Sequence, residues 1–449
     1  MHSVYQHWDP LKVCAVGRSF PPEFYSRIKN PKVRNAMERV AIETEEDYQK
    51  IISKLEEFNV EILRTDISED IEDYCNKDGV VVQPPPMCPR DFTGMVGDTF
   101  YMPGGAYGEN FDVDTLFDHT LWLLGTKDFD NIRNPVACKL AQKIEDILNP
   151  GHGASPRASL MKFQSRITNK YKIFRYKGKE FQFYHLKSIV DFTEIKEMII
   201  QAQCQTIGSN VKFPNNKKVY AFQSIKDWLV KNDIPIVYDE YVNTATTTRV
   251  GKDLYFGNVN LIDGVSQDTL NPRWQKLFPD YRVYTVEVGG HADGSFCPVV
   301  PGLILSFKDE EKYKKTFPGW EVVSLPDEGW KKVDNFLKVK EKIGKGKWWI
   351  QGEEDNDDLI DYIETWLGDW VTYVEETVFD VNMLVIDEKN VICNGYNKTV
   401  MDAFERYGIT PHIINFRHRY FWDGGLHCNT SDISRIGERK DYFPDRCTE

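Results

Sequence analysis

No stretch of some 18 apolar residues occurs anywhere in the 449-residue chain, so nothing in it is expected to span a membrane. Met1 to Pro10 carries no apolar run of the signal-peptide kind, and a cytoplasmic protein is the expectation. Cysteine is sparse: nine thiols, an odd number with scattered spacing, cannot frame a disulfide-built fold and suit a reducing compartment. Histidine is as scarce, at nine. His412, His418, His427, Cys428 and Cys447 fit no usual zinc spacing, so no metal is expected. Positive charge is in deficit, with 56 Lys and Arg against 69 Asp and Glu and a net charge of -13. Such a chain repels phosphate backbones, which argues against a nucleic-acid partner, and attracts cations. No low-complexity tract or clean linker divides the chain, so one domain spanning 1–449 is expected.

What the sequence does contain is a recurring unit. An amphipathic helix stops at a polar, Gly or Pro turn, and a short β-rich run follows. The first copy is Thr44 to Phe58, Asn59, then Val60 to Leu63, with Tyr48, Ile51, Ile52, Leu55 and Phe58 on one helical face. Thr44 and Asp47 fit a capped helix start there. Further copies are Ser224 to Lys231 with Ile234 to Tyr238, and Trp274 to Phe278 with Tyr281 to Val288. The last two are Glu311 to Phe317 with Trp320 to Leu325, and Thr399 to Tyr407 with His412 to Phe416. β-like runs precede several copies: Val13 to Val16, Leu254 to Phe256, Leu303 to Ser306 and Met383 to Ile386. The last of these turns at Asp387 to Asn390 and returns through Val391 to Cys393, as a hairpin does. A strands–helix–strand unit cannot cover its own apolar face, so the copies are expected to pack around a shared centre. The competing reading is an ordinary α/β domain whose turns look alike. Two insertions, around 104–220 and 327–372, break the spacing, and their charged runs read as solvated surface.

Four residues stand out chemically. Gly424-Gly425-Leu426-His427-Cys428 places a cysteine behind two glycines, where tight turning leaves room for a ligand. A lone cysteine is more often inert, so a partner is needed. His291, in Val288-Gly289-Gly290-His291-Ala292-Asp293, is the best candidate. If the strand before it continues, His291 and Asp293 share one side. Asp91, in Pro89-Arg90-Asp91 ahead of the β-like Met95 to Tyr101, could accept hydrogen bonds from a guanidinium fork.

Together these segments resemble the glycine amidinotransferase family of guanidino-group modifying enzymes. Gly424 to Thr430 is similar to its nucleophile segment. His291-Ala292-Asp293 with Phe296 and Pro301 to Ser306 is similar to its histidine segment, and Pro89-Arg90-Asp91 to its first acidic segment. Trp8 to Leu11 with Val16-Gly17-Arg18, Pro279 to Val283, and Asn382 through Lys389 also match, in order along nearly the whole chain. The resemblance implies a five-bladed α/β propeller of pseudo-fivefold ββαβ repeats, in accord with the five copies above. It implies an amidinotransferase that moves an amidino group from arginine, or a similar guanidine, to an acceptor amine. The path runs through an amidino-cysteine on Cys428 and releases ornithine, with no cofactor and no metal. His291 would shuttle the proton, and Asp91 and Asp293 would hold the guanidinium.

Two positions depart from the family. Where it has an aspartate ten residues before the aspartate of an Arg-x-Gly-basic-Asp run, this chain has Asn243 ahead of Arg249 to Asp253. Asparagine can still orient an imidazole, and Asp239 and Glu240 lie close by. Glu375 and Glu376 stand where a pair of family serines is expected, and the carboxylate-binding arginine after the Pro-Gly…Leu-Ser segment is missing. An acidic pair disfavours a carboxylate, so the expected acceptor is an amine other than glycine. The partners expected are these two small molecules, with a homodimer as the assembly to look for. The alternatives are a guanidine-hydrolysing deiminase of the same superfamily and a non-catalytic binding protein that kept the fold.

Overall fold

A computed structural model describes residues 2–75, 79–102, 141–143, 173–176, 179–182, 221–239, 242–257, 274–286, 288, 291–307, 310–325, 339, 341–343, 348–368, 370–371 and 378–446. The chain divides into two compact units, one of Met1–Pro103, Pro214–Val259 and Trp274–Glu449, the other of Gly104–Phe213 and Asn260–Arg273. The second unit falls largely within the first expected insertion. Its described part includes an antiparallel hairpin of β5 (Ile173–Tyr176) and β6 (Lys179–Gln182).

The first unit contains five three-stranded sheets of one design. In each, a central strand pairs antiparallel with one neighbour and parallel with the other. The first sheet has β1 (Leu11–Val16) between β17 (Thr430–Arg435) and β2 (Glu61–Arg64). The second has β4 (Thr99–Met102) between β3 (Gly94–Val96) and β7 (Ile236–Tyr238). The third has β9 (Asp253–Gly257) between β8 (Thr247–Val250) and β10 (Arg282–Val286). In the fourth, β12 (Leu303–Ser306) lies between β11 (Phe296–Val300) and β13 (Glu321–Ser324). In the fifth, β15 (Asn390–Cys393) lies between β14 (Leu384–Asp387) and β16 (Thr410–Ile413). In four sheets the antiparallel pair is a hairpin with a two-residue loop. In the first, the two ends of the chain supply it.

Helices make the parallel crossovers, as geometry requires: α1 (Pro31–Glu57), α2 (Gln223–Lys231), α3 (Glu310–Thr316) and α5 (Lys398–Tyr407), with one helical turn at 274–277 in the third sheet's crossover. The turn that ends a helix is often left-handed, at Asn59 (φ 56), Asp233 (φ 54), Gly319 (φ 78) and Gly408 (φ 67). These residue types adopt that conformation most easily. That is the physical content of the polar or glycine stop signal.

Helix α1 starts thirteen residues earlier than Thr44. Asn30 caps it by accepting from Lys32 N at 3.0 Å, and Pro31 occupies its first position. Thr44 and Asp47 do not cap it but lie buried within it. Thr44 Oγ1 donates to Val40 O at 2.6 Å and accepts from Trp422 Nε1 at 2.9 Å. Asp47 takes the Arg417 backbone and guanidinium. Long-range bonds to the 417–422 segment explain those polar residues. The strand β16 also begins two residues before the expected His412.

One apolar cluster joins α1 to β1 and to the 348–371 region. It includes Trp348, Ile350, Leu359, Ile363 and Trp370, with α4 (Asp357–Trp366) capped by Asn356. The acidic 353–358 run is thus the partly exposed start of a helix whose far side is core. A second cluster fills the third to fifth sheets around Leu303, Ile304, Phe317, Val391 and Phe404.

A buried ionic knot ties four sheets together. Asp432 on β17 accepts from Arg90 at 2.9 Å, Arg249 at 2.9 and 3.0 Å, and Arg435 at 2.8 Å. Arg249 also donates to Met95 O in the second sheet, and Arg435 to Val385 O in the fifth. Burial alone would raise the Asp432 carboxyl, yet Arg249, Arg90 and Arg435 hold it well below the usual carboxylate range. Replacing Asp432 with alanine strands three buried guanidinium groups. We expect a loss of about 3–5 kcal/mol, measured as a lower denaturation midpoint. A midpoint within error of wild type would contradict the knot's role.

Candidate active site

Cys428 lies on the loop between the short helix Arg419–Trp422 and β17. The loop is fastened by its own side chains. Asn429 Nδ2 donates to Gly424 O (3.0 Å) and Gly425 O (2.7 Å), and Thr430 Oγ1 donates to Leu426 O (2.8 Å). Tyr48 OH donates to Asn429 Oδ1 at 2.6 Å. Arg90 Nε donates to His427 O and Thr430 O at 2.8 and 2.7 Å, so the ionic knot also supports the cysteine.

Asn382 links this loop to the Asp293 turn. Its Oδ1 accepts from His427 N (2.9 Å) and Cys428 N (3.2 Å), and its Nδ2 donates to Cys428 Sγ (2.9 Å) and Asp293 O (3.3 Å). Gly425 makes this possible, because a Cβ there would come within 2.5 Å of Asn382 Oδ1. Cys428 Sγ donates to Asp293 Oδ2 at 3.4 Å, and the same oxygen lies 2.8 Å from His427 Nδ1. Burial, Arg90 and His7 hold His427 well below the ordinary histidine value. A carboxylate can only accept, so the Nδ1–H of His427 donates to Asp293.

His291 precedes a 3-10 turn, Ala292–Gly294, and not a continuing strand, so the expected strand alternation does not apply. The turn is held from below: Asp293 N donates to Ala245 O at 3.2 Å. His291 Nδ1 stands 3.6 Å from Asp91 Oδ1. Their side chains are 34% and 21% exposed, against 6% for Asp293, and Cys428 as a residue is 7% exposed. Solvent therefore meets His291 and Asp91 first and the sulfur last.

Asn243 Oδ1 accepts from Thr246 N and Thr246 Oγ1, both at 3.0 Å, which shapes the 243–246 loop that carries Ala245. The carboxylate beside the imidazole is Asp91. Glu375, Glu376 and Glu240 lie outside the described residues.

Burial raises Asp91 to about 7, against the pull of Arg90. Burial raises Asp293 to about 6; His291 opposes it and Asp91 adds to it. Burial, then Asp293, Asp91 and Cys88, push the Cys428 thiol well above its ordinary value, while the Asn382 amide pulls it down. The empty site thus holds a thiol, and a cation is what its electrostatics lack. Two members escaped the sequence reading. Asn382 appeared there only within a resembling segment, and Asp423 not at all. Asp423, raised to about 7 by burial with Asp91 and Asp293, faces the same carboxylates. A carboxylate directly before the double glycine was the available signal. Among the described residues, no His, Cys, Asp and Glu group is arranged to hold a metal ion, and no helix is long and apolar enough to cross a membrane.

No family model matches the chain. Curated relatives do. A mitochondrial glycine amidinotransferase of Xenopus tropicalis is 27% identical over 218 residues, 46% of this chain and 41% of the relative. An L-arginine:L-lysine amidinotransferase of Pseudomonas savastanoi pv. phaseolicola is 22% identical over 211 residues, 46% of this chain and 48% of the relative. The match thus spans less than half the length of these relatives. Among solved structures, an amidinotransferase of the saxitoxin biosynthetic pathway from Microseira wollei aligns with a TM-score of 0.48 at 15% identity, covering 98% of this chain and 99% of that one. Over that span this chain is similar in sequence to amidinotransferases, the glycine amidinotransferases among them, as its motifs led us to expect.

Proposed function

We propose that the chain is an amidinotransferase built as a closed five-bladed α/β propeller, with the insertions carried on a single domain. It takes the amidino group of arginine, or a similar guanidine, onto Cys428 and passes it to an amine. The observation that carries this reading is the convergence of Cys428, Asp293, Asp91 and His291 at one partly open site.

Asp91 and Asp293 grip the guanidinium and fix its carbon against Sγ. Orientation of this kind is worth up to roughly 7–11 kcal/mol of barrier. The guanidinium supplies the positive charge that the thiol lacks, so binding itself promotes the thiolate. The thiol proton passes to His291, sulfur attacks the central carbon, His291 gives that proton to the leaving nitrogen as the C–N bond breaks, and ornithine departs. In the second half His291 removes a proton from the acceptor amine, which attacks the amidino carbon as the C–S bond breaks. Asp91, at 3.6 Å, stabilises the imidazolium. Asn243 acts by fixing the loop beneath Asp293. No cofactor is needed. Glu375 and Glu376 are assigned to the acceptor side, where they would disfavour glycine.

The test is ornithine release from arginine with and without added amines. Amine-dependent ornithine release supports transfer. Citrulline formed at full rate without an amine would replace transfer by hydrolysis.

The raised carboxyls also set a pH dependence. Below about 7 for Asp91 and about 6 for Asp293 the empty site holds protons, and a bound guanidinium must expel them. KM for arginine is expected to rise as pH falls through that window, by up to about tenfold per pH unit for each proton expelled, and to level off above it. Stability runs the other way. Unfolded, both groups ionise near their ordinary 3.8. The fold therefore loses stability as pH rises from there to about 7. A flat KM between pH 5.5 and 8, measured with an intact fold, would contradict this assignment of the carboxylates.

A further inference from the structure

Asp423 ends the 419–422 helix in the left-handed conformation, at φ 50 and ψ 42. Glycine adopts that backbone even more easily than aspartate, so a change to glycine there does not strain the turn. It is directly followed by Gly424, whose Cβ position would lie 3.0 Å from Cys88 Sγ and 3.6 Å from the Cβ of Cys428. This backbone therefore abuts the nucleophile. Among the described residues, Asp423 makes no hydrogen bond or ion pair.

A second observation shows that the site is unfilled. Asp293, at 6% exposure, keeps its Oδ1 without a hydrogen-bond partner, and the buried Asp91 Oδ1 has none either, with His291 Nδ1 3.6 Å away. The nearby Arg90 guanidinium is bound to Asp432, His427 O and Thr430 O. Asp91, Asp423 and Asp293 all act on the thiol of Cys88, whose sulfur lies beside Gly424 and the nucleophile loop. When the acceptor arrives, the donor has left one cationic amidino group on Cys428 and His291 must be free to take a proton, so an ammonium group on the acceptor is what can meet the remaining negative charge.

We propose that Asp423 sets acceptor specificity by receiving the second ammonium group of a diamine. This rests on the amidino-transfer reading above. The bonds balance without a redox step. The diamine's free nitrogen forms the new N–C bond, the C–S bond breaks, and the departing proton goes to His291. The product is a guanidino-amine, and Cys428 regains its thiolate. An α-carboxylate in the same place would meet Asp423 with like charge, which disfavours glycine independently of Glu375 and Glu376.

The experiment uses the full chain with arginine as donor, and with 1,4-diaminobutane, propylamine and glycine as acceptors. Wild type is expected to show kcat/KM for the diamine at least about tenfold above propylamine, with glycine weakest. In Asp423→Asn the diamine-to-propylamine ratio should fall towards one. Asp423→Gly should do the same without straining the backbone, which separates lost charge from misfolding. Mass measurement of the Cys428 adduct with arginine alone reports the first half-reaction separately. If no adduct forms in wild type, the transfer reading itself fails. If the adduct forms but neither variant changes the ratio, or glycine outruns the diamine, the role of Asp423 is overturned and transfer stands.

Discussion

Replacing Cys428 with alanine is expected to lower amine-dependent ornithine release by on the order of 10⁴-fold or more, leaving arginine binding largely intact. In the proposed mechanism sulfur is the atom that accepts the amidino carbon, and among the described residues no other group at the site is placed to replace it. Cys88 is adjacent, but burial pushes its thiol well above the ordinary value, with Asp91, Asp423 and Asp293 adding to the shift. Its Sγ donates weakly to Asn429 at 3.9 Å. Alanine removes the sulfur's bonds to Asn382 Nδ2 and Asp293 Oδ2, but leaves in place those that Asn382 Oδ1, Asn429 and Arg90 make to the loop backbone. The variant should therefore fold and still bind arginine. Residual turnover near wild type would remove Cys428 from the chemistry.

Asp293→Asn is expected to act in two opposite directions. With arginine, kcat/KM should fall by about 10²–10³, because a carboxylate aimed at the substrate cation is replaced by a neutral amide. With iodoacetamide, a neutral reagent, Cys428 should react faster at a given pH. Asp293 is the largest charge that raises its thiol, and removing that charge enlarges the thiolate fraction. Asparagine can keep the acceptor for His427 Nδ1 at 2.8 Å, so the loop should hold. A purely structural role for Asp293 predicts slower turnover without faster alkylation. The paired measurement separates the two.

How much of this was legible depended on whether a signal was local. Four of the five helix–turn–strand copies were readable because Asn59, Asp233, Gly319 and Gly408 take up left-handed backbone and the helices before them carry one apolar face; the third was marked by Pro279-Asp280. The hairpin at Asp387 to Asn390 was readable for similar reasons: Asp387 Oδ1 accepts from Lys389 N at 2.8 Å. The start of α1 was missed. Thr44 and Asp47 look like caps until Trp422 and Arg417 arrive from nearly 400 residues away. The pairing of β17 with β1 joins the two ends of the chain, and no local pattern announces it. At the candidate site, Cys428, His291, Asp91 and Asp293 were singled out by motif and resemblance. The Asn382 clamp was not, because its two backbone acceptances and its bond to sulfur exist only once the fifth sheet meets the nucleophile loop. The three-arginine knot on Asp432 is invisible for the same reason.

The most direct test is to mix the purified chain with isotopically labelled arginine, quench in acid without an acceptor amine, and map the added mass by peptide. The account predicts one amidino group, carrying the label, on the peptide containing Cys428, released when an amine is supplied before the quench. Label on another cysteine, or ornithine formation with no protein-bound amidino group at any time, would contradict it.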